Sequence, residues 1–248
     1  MIRLRGVKKR LGGKRVLDGL DLDIERGETI VVLGPSGTGK SVLLKHIIGL
    51  MIPDEGSIEV DGVEIVGLGE KALDEVRKNF GMLFQGAALF DSMSVGENVG
   101  LALREHRRLP VAQIPVRVAE CLAAVGLKGA EDLRTASLSG GMRKRVGLAR
   151  AIAMNPDFIL YDEPTTGLDP ITADVIDQLV RSLQEKMGVT SVVVTHDLHS
   201  AYKVGDRLAM LYGGRVVFIG TPDEVRATRD PLVRQFIEGS SVGPIQPV

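Results

Sequence analysis

An α/β fold is predicted by three observations: short, wholly apolar runs that read as buried strands, helical spacing between them, and a glycine-rich loop joining one such strand to a helix. Ile30-Val31-Val32-Leu33 lacks polar alternation, as expected of a strand covered on both faces. Gly34-Pro35-Ser36-Gly37-Thr38-Gly39-Lys40-Ser41 follows it in the pattern G-x-x-x-x-G-K-[ST]. Ser41–Ile48 then has helical apolar spacing and stops at Gly49. Strand, loop and helix in this order suit polyphosphate. Glycines let backbone N–H groups surround phosphate oxygens, and a helix N-terminus adds positive potential. Lys40 can then reach the β/γ-phosphates, and the Ser41 hydroxyl can ligate Mg²⁺. The loop alone says only that a nucleoside triphosphate binds.

The other elements follow in order. Ile2 and Leu4 alternate with charged residues, as do Leu20, Leu22 and Ile24, so short strands precede residue 30. Asp61-Gly62 between Ser57–Val60 and Val63–Ile65 is a strong hairpin signal and places an antiparallel piece beside the nucleotide core. From Val95 to Val125 the pattern is helical, broken near Pro110 and Pro115. Strand character returns at Phe158–Tyr161 and Ser191–Thr195, and Gly213-Gly214 turns a second hairpin. Thr221-Pro222-Asp223-Glu224 opens a helix with an N-cap, a proline at the first position and a capping-box glutamate. Leu232, Val233, Phe236 and Ile237 form one helical stripe, after which serine, glycine and proline are expected to prevent a compact element. No internal repeat is visible.

Composition narrows the class. A chain of 248 residues can bury a sizeable core, either as one large domain or as a core with an inserted subdomain. A formal net charge of −1 gives no basic field, so no nucleic-acid partner is expected. The single cysteine, Cys121, excludes an intrachain disulfide, suits a reducing compartment and falls on a packed helical position. No apolar run reaches about 18 residues, so no transmembrane helix is expected. Met1–Arg5 alternates like a strand rather than a signal peptide. A cytosolic chain is expected.

Four further motifs carry chemistry. Phe158-Ile159-Leu160-Tyr161-Asp162-Glu163 is an apolar strand ending in two acids, at the carboxyl end where an open α/β sheet binds its ligand. Asp162 suits the Mg²⁺ site, and Glu163 suits a base that activates water. Ser139-Gly140-Gly141 precedes a second helix and forms a second helix-start anion site, although the same residues would serve as an ordinary N-cap. One γ-phosphate cannot sit on two distant helix starts of one small domain unless the second comes from another subunit, which points to a head-to-tail dimer. His196, after the third apolar strand, is placed to touch the γ-phosphate, although a lone histidine is usually structural. Gln85, closing Met82-Leu83-Phe84-Gln85, could contact Mg²⁺ or the attacking water. His196 and His199 have metal-like spacing but no third ligand nearby, so zinc is not expected.

Together these residues resemble the ATP-binding cassette (ABC) ATPases over nearly the whole chain. Gly34–Ser41 matches the family's Walker A loop, Gln85 its Q-loop, and Leu138–Met142 its signature. Asp162 and Glu163 match Walker B, Gly167-Leu168-Asp169 the D-loop, and His196 the switch histidine. The resemblance implies a P-loop NTPase (RecA-like) core with an antiparallel β subdomain and an inserted helical subdomain. One cassette domain is expected over 1–238, its core about 1–85 and 155–230, its helical part about 86–154, and a tail over 239–248. The implied catalytic set is Glu163, His196, Gln85 and Lys40. ATP would be held by Gly34, Pro35, Ser36, Gly37, Thr38, Gly39, Lys40 and Ser41, with Ser139, Gly140 and Gly141 of a second copy completing the site. Mg²⁺ would be held by Ser41, Gln85 and Asp162. The family usually stacks an aromatic on adenine. Lys8-Lys9-Arg10-Leu11 has none, leaving Leu11 or an arginine to cover the base.

A narrower resemblance concerns cargo. Leu83–Phe90, Ala102-Leu103-Arg104-Glu105-His106, Val233–Gly239 and the signature methionine Met142 are similar to the ATPases of MCE-type lipid transporters. That resemblance implies phospholipid transport through an MCE-associated integral membrane permease, at the cytoplasmic face of the inner membrane. The region from Gln85 to about Arg107 would receive the permease, and the tail would contact the second cassette or an accessory cytoplasmic subunit. The other readings are an importer ATPase for a small polar solute and a regulatory or DNA-associated cassette without a permease. The last is disfavoured by the lack of a long coiled-coil insertion, a tandem cassette or a basic excess.

Overall fold

The computed structural model describes residues 1–106 and 109–246. The first strands are β1 (Ile2–Leu11), β2 (Lys14–Ile24) and β3 (Thr29–Leu33), followed by α1 (Lys40–Ile47), β4 (Glu55–Val60), β5 (Val63–Glu64) and α2 (Glu70–Arg77). Next come β6 (Phe80–Leu83), α3 (Val95–Glu105), α4 (Ile114–Ala124), α5 (Gly140–Ile152), β7 (Phe158–Asp162) and α6 (Pro170–Met187). The chain closes with β8 (Thr190–Thr195), α7 (Leu198–Val204), β9 (Arg207–Tyr212), β10 (Arg215–Gly220), α8 (Pro222–Ala227) and α9 (Pro231–Glu238). Two compact units emerge: residues 1–73 with 192–248, and residues 74–191. The segment expected to be helical, about 86–154, lies within the second.

In the first unit β2, β1, β4 and β5 form an antiparallel sheet in that order. Ile2 and Leu4 of β1 and Leu20, Leu22 and Ile24 of β2 are buried while their neighbours are not, the period-two pattern of a half-covered sheet. The strands are longer than their apolar stretches suggest. They continue through charged residues to the Gly12-Gly13 turn, and β1 bulges between Leu4 and Val7, where the Gly6 N–H finds the Asp21 carboxylate at 2.8 Å. In the same unit β9 pairs with β10 across the expected Gly213-Gly214 turn and runs parallel to β3. Every residue of β3 is buried, as its unbroken apolar run requires.

The second unit pairs β6 with β7 in parallel and carries α3, α4 and α5. Of the two breaks expected in the 95–125 helical pattern, the one near Pro110 is present, with a single 3₁₀ turn after it ahead of α4. Pro115 instead lies in the first turn of α4, where its missing N–H removes no helical bond. Cys121 is buried on α4, and burial pushes its thiol above the ordinary range, as expected of a packed position.

The chain end departs from expectation. Gln235 is more buried than Phe236 or Ile237, which are only half-covered, and its amide folds residues 240–245 back onto α9. The Ile245 N–H donates to its Oε1 at 2.6 Å, and its Nε2 donates to Ile245 O at 3.0 Å and Ser240 O at 3.2 Å. One buried amide thus compensates for a segment whose composition offers no core. The tail's last two residues, 247 and 248, lie outside the described residues.

Candidate functional site

The phosphate loop leaves β3 and enters α1 within the first unit. A Cβ at Gly34 would lie 2.4 Å from Leu211 O, and one at Gly39 would lie 2.9 Å from Val16 Cγ1, at φ +101°. Only glycine fits either place, so the loop is pressed against β9 and β2 and its backbone faces are left bare. Gly39 is the N-cap of α1 and has no side chain to offer the helix's first N–H groups, which suits an anion. Lys40 is buried, its ammonium donating to Gly34 O at 2.8 Å and Pro35 O at 3.1 Å. The Thr38 hydroxyl donates to Pro35 O at 2.9 Å. The lysine therefore lies over the loop with its charge on the concave side. Ser36 and Gly37 form the loop's tip, and Ser41 sits in the first turn of α1. His196 belongs to the same unit. It is exposed at the end of β8, the neighbour of β3, just before Asp197 caps α7 by accepting the His199 N–H at 2.9 Å.

The second unit gathers the other expected residues. Asp162 ends β7, and Glu163 follows with φ +49°, in the left-handed region that non-glycine residues rarely occupy. Both are buried. The Thr166 hydroxyl donates to Glu163 Oε2 at 3.0 Å and fixes the carboxylate. Ser139 caps α5, its hydroxyl accepting from the Met142 N–H at 3.2 Å. Gly140 and Gly141 form the first turn, and a Cβ on Gly141 would lie 2.4 Å from Thr172 Cγ2. Gly141 thus has a packing reason to be glycine as well as the ligand reason read from sequence. In Gly167-Leu168-Asp169, Asp169 caps α6. Hydrogen bonds from Thr172 and Ile171 hold its carboxyl below the usual carboxylate range.

Gln85 has an exposed side chain, but its main chain is held by Lys144, which sequence reasoning did not single out. Lys144 Nζ donates to Gln85 O at 2.6 Å and to Glu163 O at 3.0 Å. Burial lowers its pKa, and the Asp162 and Glu163 carboxylates pull it back up. A signal was present: Lys144 stands at i relative to Leu148 and Ile152 at i+4 and i+8, on an apolar stripe where a lysine needs buried acceptors. Arg150 and Asn98 were also missed. Arg150 donates to Ala87 O and Ala88 O, each at 2.6 Å. Asn98, wholly buried on α3, accepts the Phe90 N–H at 2.8 Å and donates to Phe90 O at 3.1 Å. Phe90 itself is 50% exposed.

A glycine cradle at a helix start with a buried lysine over it defines a P-loop nucleotide-binding protein. Comparison with known proteins narrows the class. Residues 17–166 match the family model described as ABC transporter. The chain is 45% identical over 245 residues to "Probable ribonucleotide transport ATP-binding protein mkl" of Mycobacterium leprae, covering 98% of this chain and 70% of that protein. It is 42% identical over 245 residues to the intermembrane phospholipid transport system ATP-binding protein MlaF of Escherichia coli K12, covering 99% and 91%. It matches the dimeric post-hydrolysis structure of the ATP-binding cassette MJ0796, bound to ADP and Pi, with a TM-score of 0.82 and 35% identity over 90% of this chain and 99% of that one. The chain belongs to the ABC transporter family. It has the cassette fold, a P-loop NTPase core with an antiparallel β subdomain and an inserted helical subdomain, and it binds and hydrolyses ATP. No helix among the described residues is long and apolar enough to cross a membrane.

Proposed function

We propose that this chain is the ATPase subunit of a phospholipid transporter, working as a head-to-tail homodimer beneath a membrane permease on the cytoplasmic face of the inner membrane. The observation that carries the cargo reading is the likeness to MlaF over 99% of this chain and 91% of that protein. The likeness to mkl, a probable ribonucleotide transport protein, favours the second reading, an importer ATPase for a small polar solute. Detergent extraction of the native complex, with mass spectrometry of its proteins and lipids, separates the two. Co-purified phospholipid with an MCE protein supports the first, and a complex without either refutes it.

Residues 1–238 then act as one cassette domain followed by the 239–248 tail. In each nucleotide site Gly34–Ser41 wraps the phosphates and Lys40 neutralises them. Glu163 accepts a proton from the attacking water, while Gln85 and His196 hold water and γ-phosphate in line. Ser139, Gly140 and Gly141 of the second copy cover the γ-phosphate from the far side. Ser41, Gln85 and Asp162 offer hydroxyl, amide and carboxylate oxygens, the hard donors that suit Mg²⁺. Such a site would take its remaining ligands from phosphate and water. When bound, the ion would neutralise charge on the β- and γ-phosphates.

The permease is proposed to seat against the segment after Gln85, whose far limit near Arg107 lies outside the described residues. Phe90 is the anchor: its ring is half exposed while Asn98 fixes its main chain. Phe90→Asp should leave a folded, soluble ATPase that no longer co-purifies with the permease; normal assembly would move the groove elsewhere. Base recognition is the weakest part of the cradle. Leu11, at the end of β1 and 38% exposed, stands where the family places an aromatic. Leu11→Tyr should tighten ATP binding about 3- to 10-fold, the worth of one aromatic stack. Isothermal titration with ATP and with GTP checks this, and an unchanged affinity would show that the base is covered from elsewhere.

A further inference from the structure

We propose that Lys144 is a positioning residue that ties the Gln85 segment to Glu163, so that movement of the one re-aims the carboxylate of the other. The proposal rests on the reading of Glu163 as the base that activates water.

The observations start from one face of α5. Lys144, Gly147 and Arg150 recur every three residues and so share a side of the helix. All three meet the chain that follows β6. Lys144 donates to Gln85 O at 2.6 Å. Gly147 leaves no room for a side chain, since its Cβ would lie 2.6 Å from Leu83 Cδ1 and 3.4 Å from Ala87 Cβ. Arg150 donates to the carbonyls of Ala87 and Ala88, which stand at φ +61° and +46°. Two consecutive left-handed alanines are unfavourable in isolation and persist where surrounding contacts over-determine them. The segment 85–88 therefore moves with α5 rather than independently of it.

Lys144 reaches a second backbone as well. Lys144 is 5% exposed, and its ammonium donates to Glu163 O at 3.0 Å. Glu163 is itself left-handed, so the direction of its carbonyl is coupled to the turn that aims its side chain. Thr166 holds that carboxylate at Oε2. A shift of the 85–88 segment is thus relayed by one ammonium to the peptide that orients the base. The same helix begins at Ser139, so a single rigid element links the signature serine, the Gln85 main chain and Glu163. Lys144 touches neither water nor phosphate in this scheme and acts only through Glu163.

The test uses the full chain, with steady-state ATP hydrolysis and thermal melting measured on Lys144→Met, Lys144→Gln, Glu163→Gln and the double variant Lys144→Met/Glu163→Gln. Methionine keeps the length of lysine and removes its donors; glutamine keeps donors on a shorter reach. Misaiming a reacting group is expected to cost Lys144→Met about 10- to 100-fold in kcat, with KM for ATP held within about threefold. Lys144→Gln should fall between it and the wild type. In the Glu163→Gln background the same Lys144→Met change should lower the residual rate less than about twofold, because the group it acts through is gone. A wild-type kcat for Lys144→Met overturns the proposal, as does an equal fold-loss in both backgrounds, which would mark Lys144 as a merely structural lysine. If Lys144→Met does not fold, Lys144→Gln carries the same comparison with the same two outcomes. Wild-type turnover by Glu163→Gln alone would sink the assignment of the base and this proposal with it. An inactive Glu163→Gln beside an unaffected Lys144→Met sinks only the latter.

Discussion

With ATP present, Glu163→Gln should run on gel filtration with a larger dimer fraction than the unaltered chain, while its turnover falls by about 10²–10⁴-fold, the usual worth of a general base. The substitution is nearly isosteric. The amide oxygen can still accept from Thr166, which sits 3.0 Å from Oε2, and the Lys144 contact is to the main-chain carbonyl and is not altered. Nucleotide affinity should therefore persist while cleavage stops. If the γ-phosphate held by one copy is covered by Ser139 of the other, uncleaved nucleotide keeps the two together. The dimer then tests the serine as well. Ser139→Ala would confound the result, because Ser139 Oγ also caps α5 at Met142, and losing a cap costs about 1 kcal/mol of helix stability. Ser139→Asp is the cleaner partner: aspartate caps as well as serine but sets a negative charge against phosphate. Glu163→Gln/Ser139→Asp should return to monomer in ATP with its melting temperature retained. An isolated cassette that dimerises poorly calls for the same measurement in the permease complex. Wild-type turnover by Glu163→Gln there would remove Glu163 as the base.

Lys40→Ala should act one step earlier, on binding. The Lys40 ammonium is buried over the Gly34 and Pro35 carbonyls, so its charge is preorganised at the mouth of the glycine cradle. A hydrogen bond from a charged donor is worth about 1.5–3 kcal/mol, so ATP affinity should drop by about 10- to 100-fold. The hydrolysis rate should fall at least in parallel, since the lysine also faces charge that grows in the transition state. Alanine suits the first position of α1, but the Gly34 carbonyl it frees is buried, a loss of about 1–3 kcal/mol, so the melting temperature should fall by a few degrees while the chain stays folded. Titration calorimetry with ATP is the check. Unchanged affinity would move the phosphates off the 34–41 loop.

The residues that were legible in the sequence are those whose local chemistry is self-sufficient. The cradle at 34–41 sits between an all-apolar strand and a helix; Asp61-Gly62 and Gly213-Gly214 turn through backbone that accepts positive φ, and Thr221-Pro222-Asp223-Glu224 caps by its own side chains. The observed β4–β5 and β9–β10 hairpins and the α8 capping box follow from them directly. What escaped depends on partners far along the chain. Lys144 is one cation in an Arg-Lys-Arg run, and its burial is set by carbonyls 59 and 19 residues away. Gln235 looks like the polar gap in an apolar stripe until residue 245 returns to it. The full length of β1 and β2 was hidden because Lys8-Lys9-Arg10 and Lys14-Arg15 are charged and only Val7 and Leu17 are buried in those outer halves, too few to show a period of two. Gly141 had a visible role toward nucleotide but an invisible one toward Thr172.

The Asn98 amide has a consequence for recognition. By taking both the N–H and the carbonyl of Phe90, it settles the backbone of that segment when the chain folds, while half of the ring remains outside. A partner that accepts the ring into a pocket then has little left to immobilise, about 0.5–1.5 kcal/mol for one side chain. A loose loop would have to be frozen residue by residue at each encounter. Association with such an anchor is close to rigid docking. Part of its affinity is written at Asn98, a residue with no exposed surface for any partner to touch.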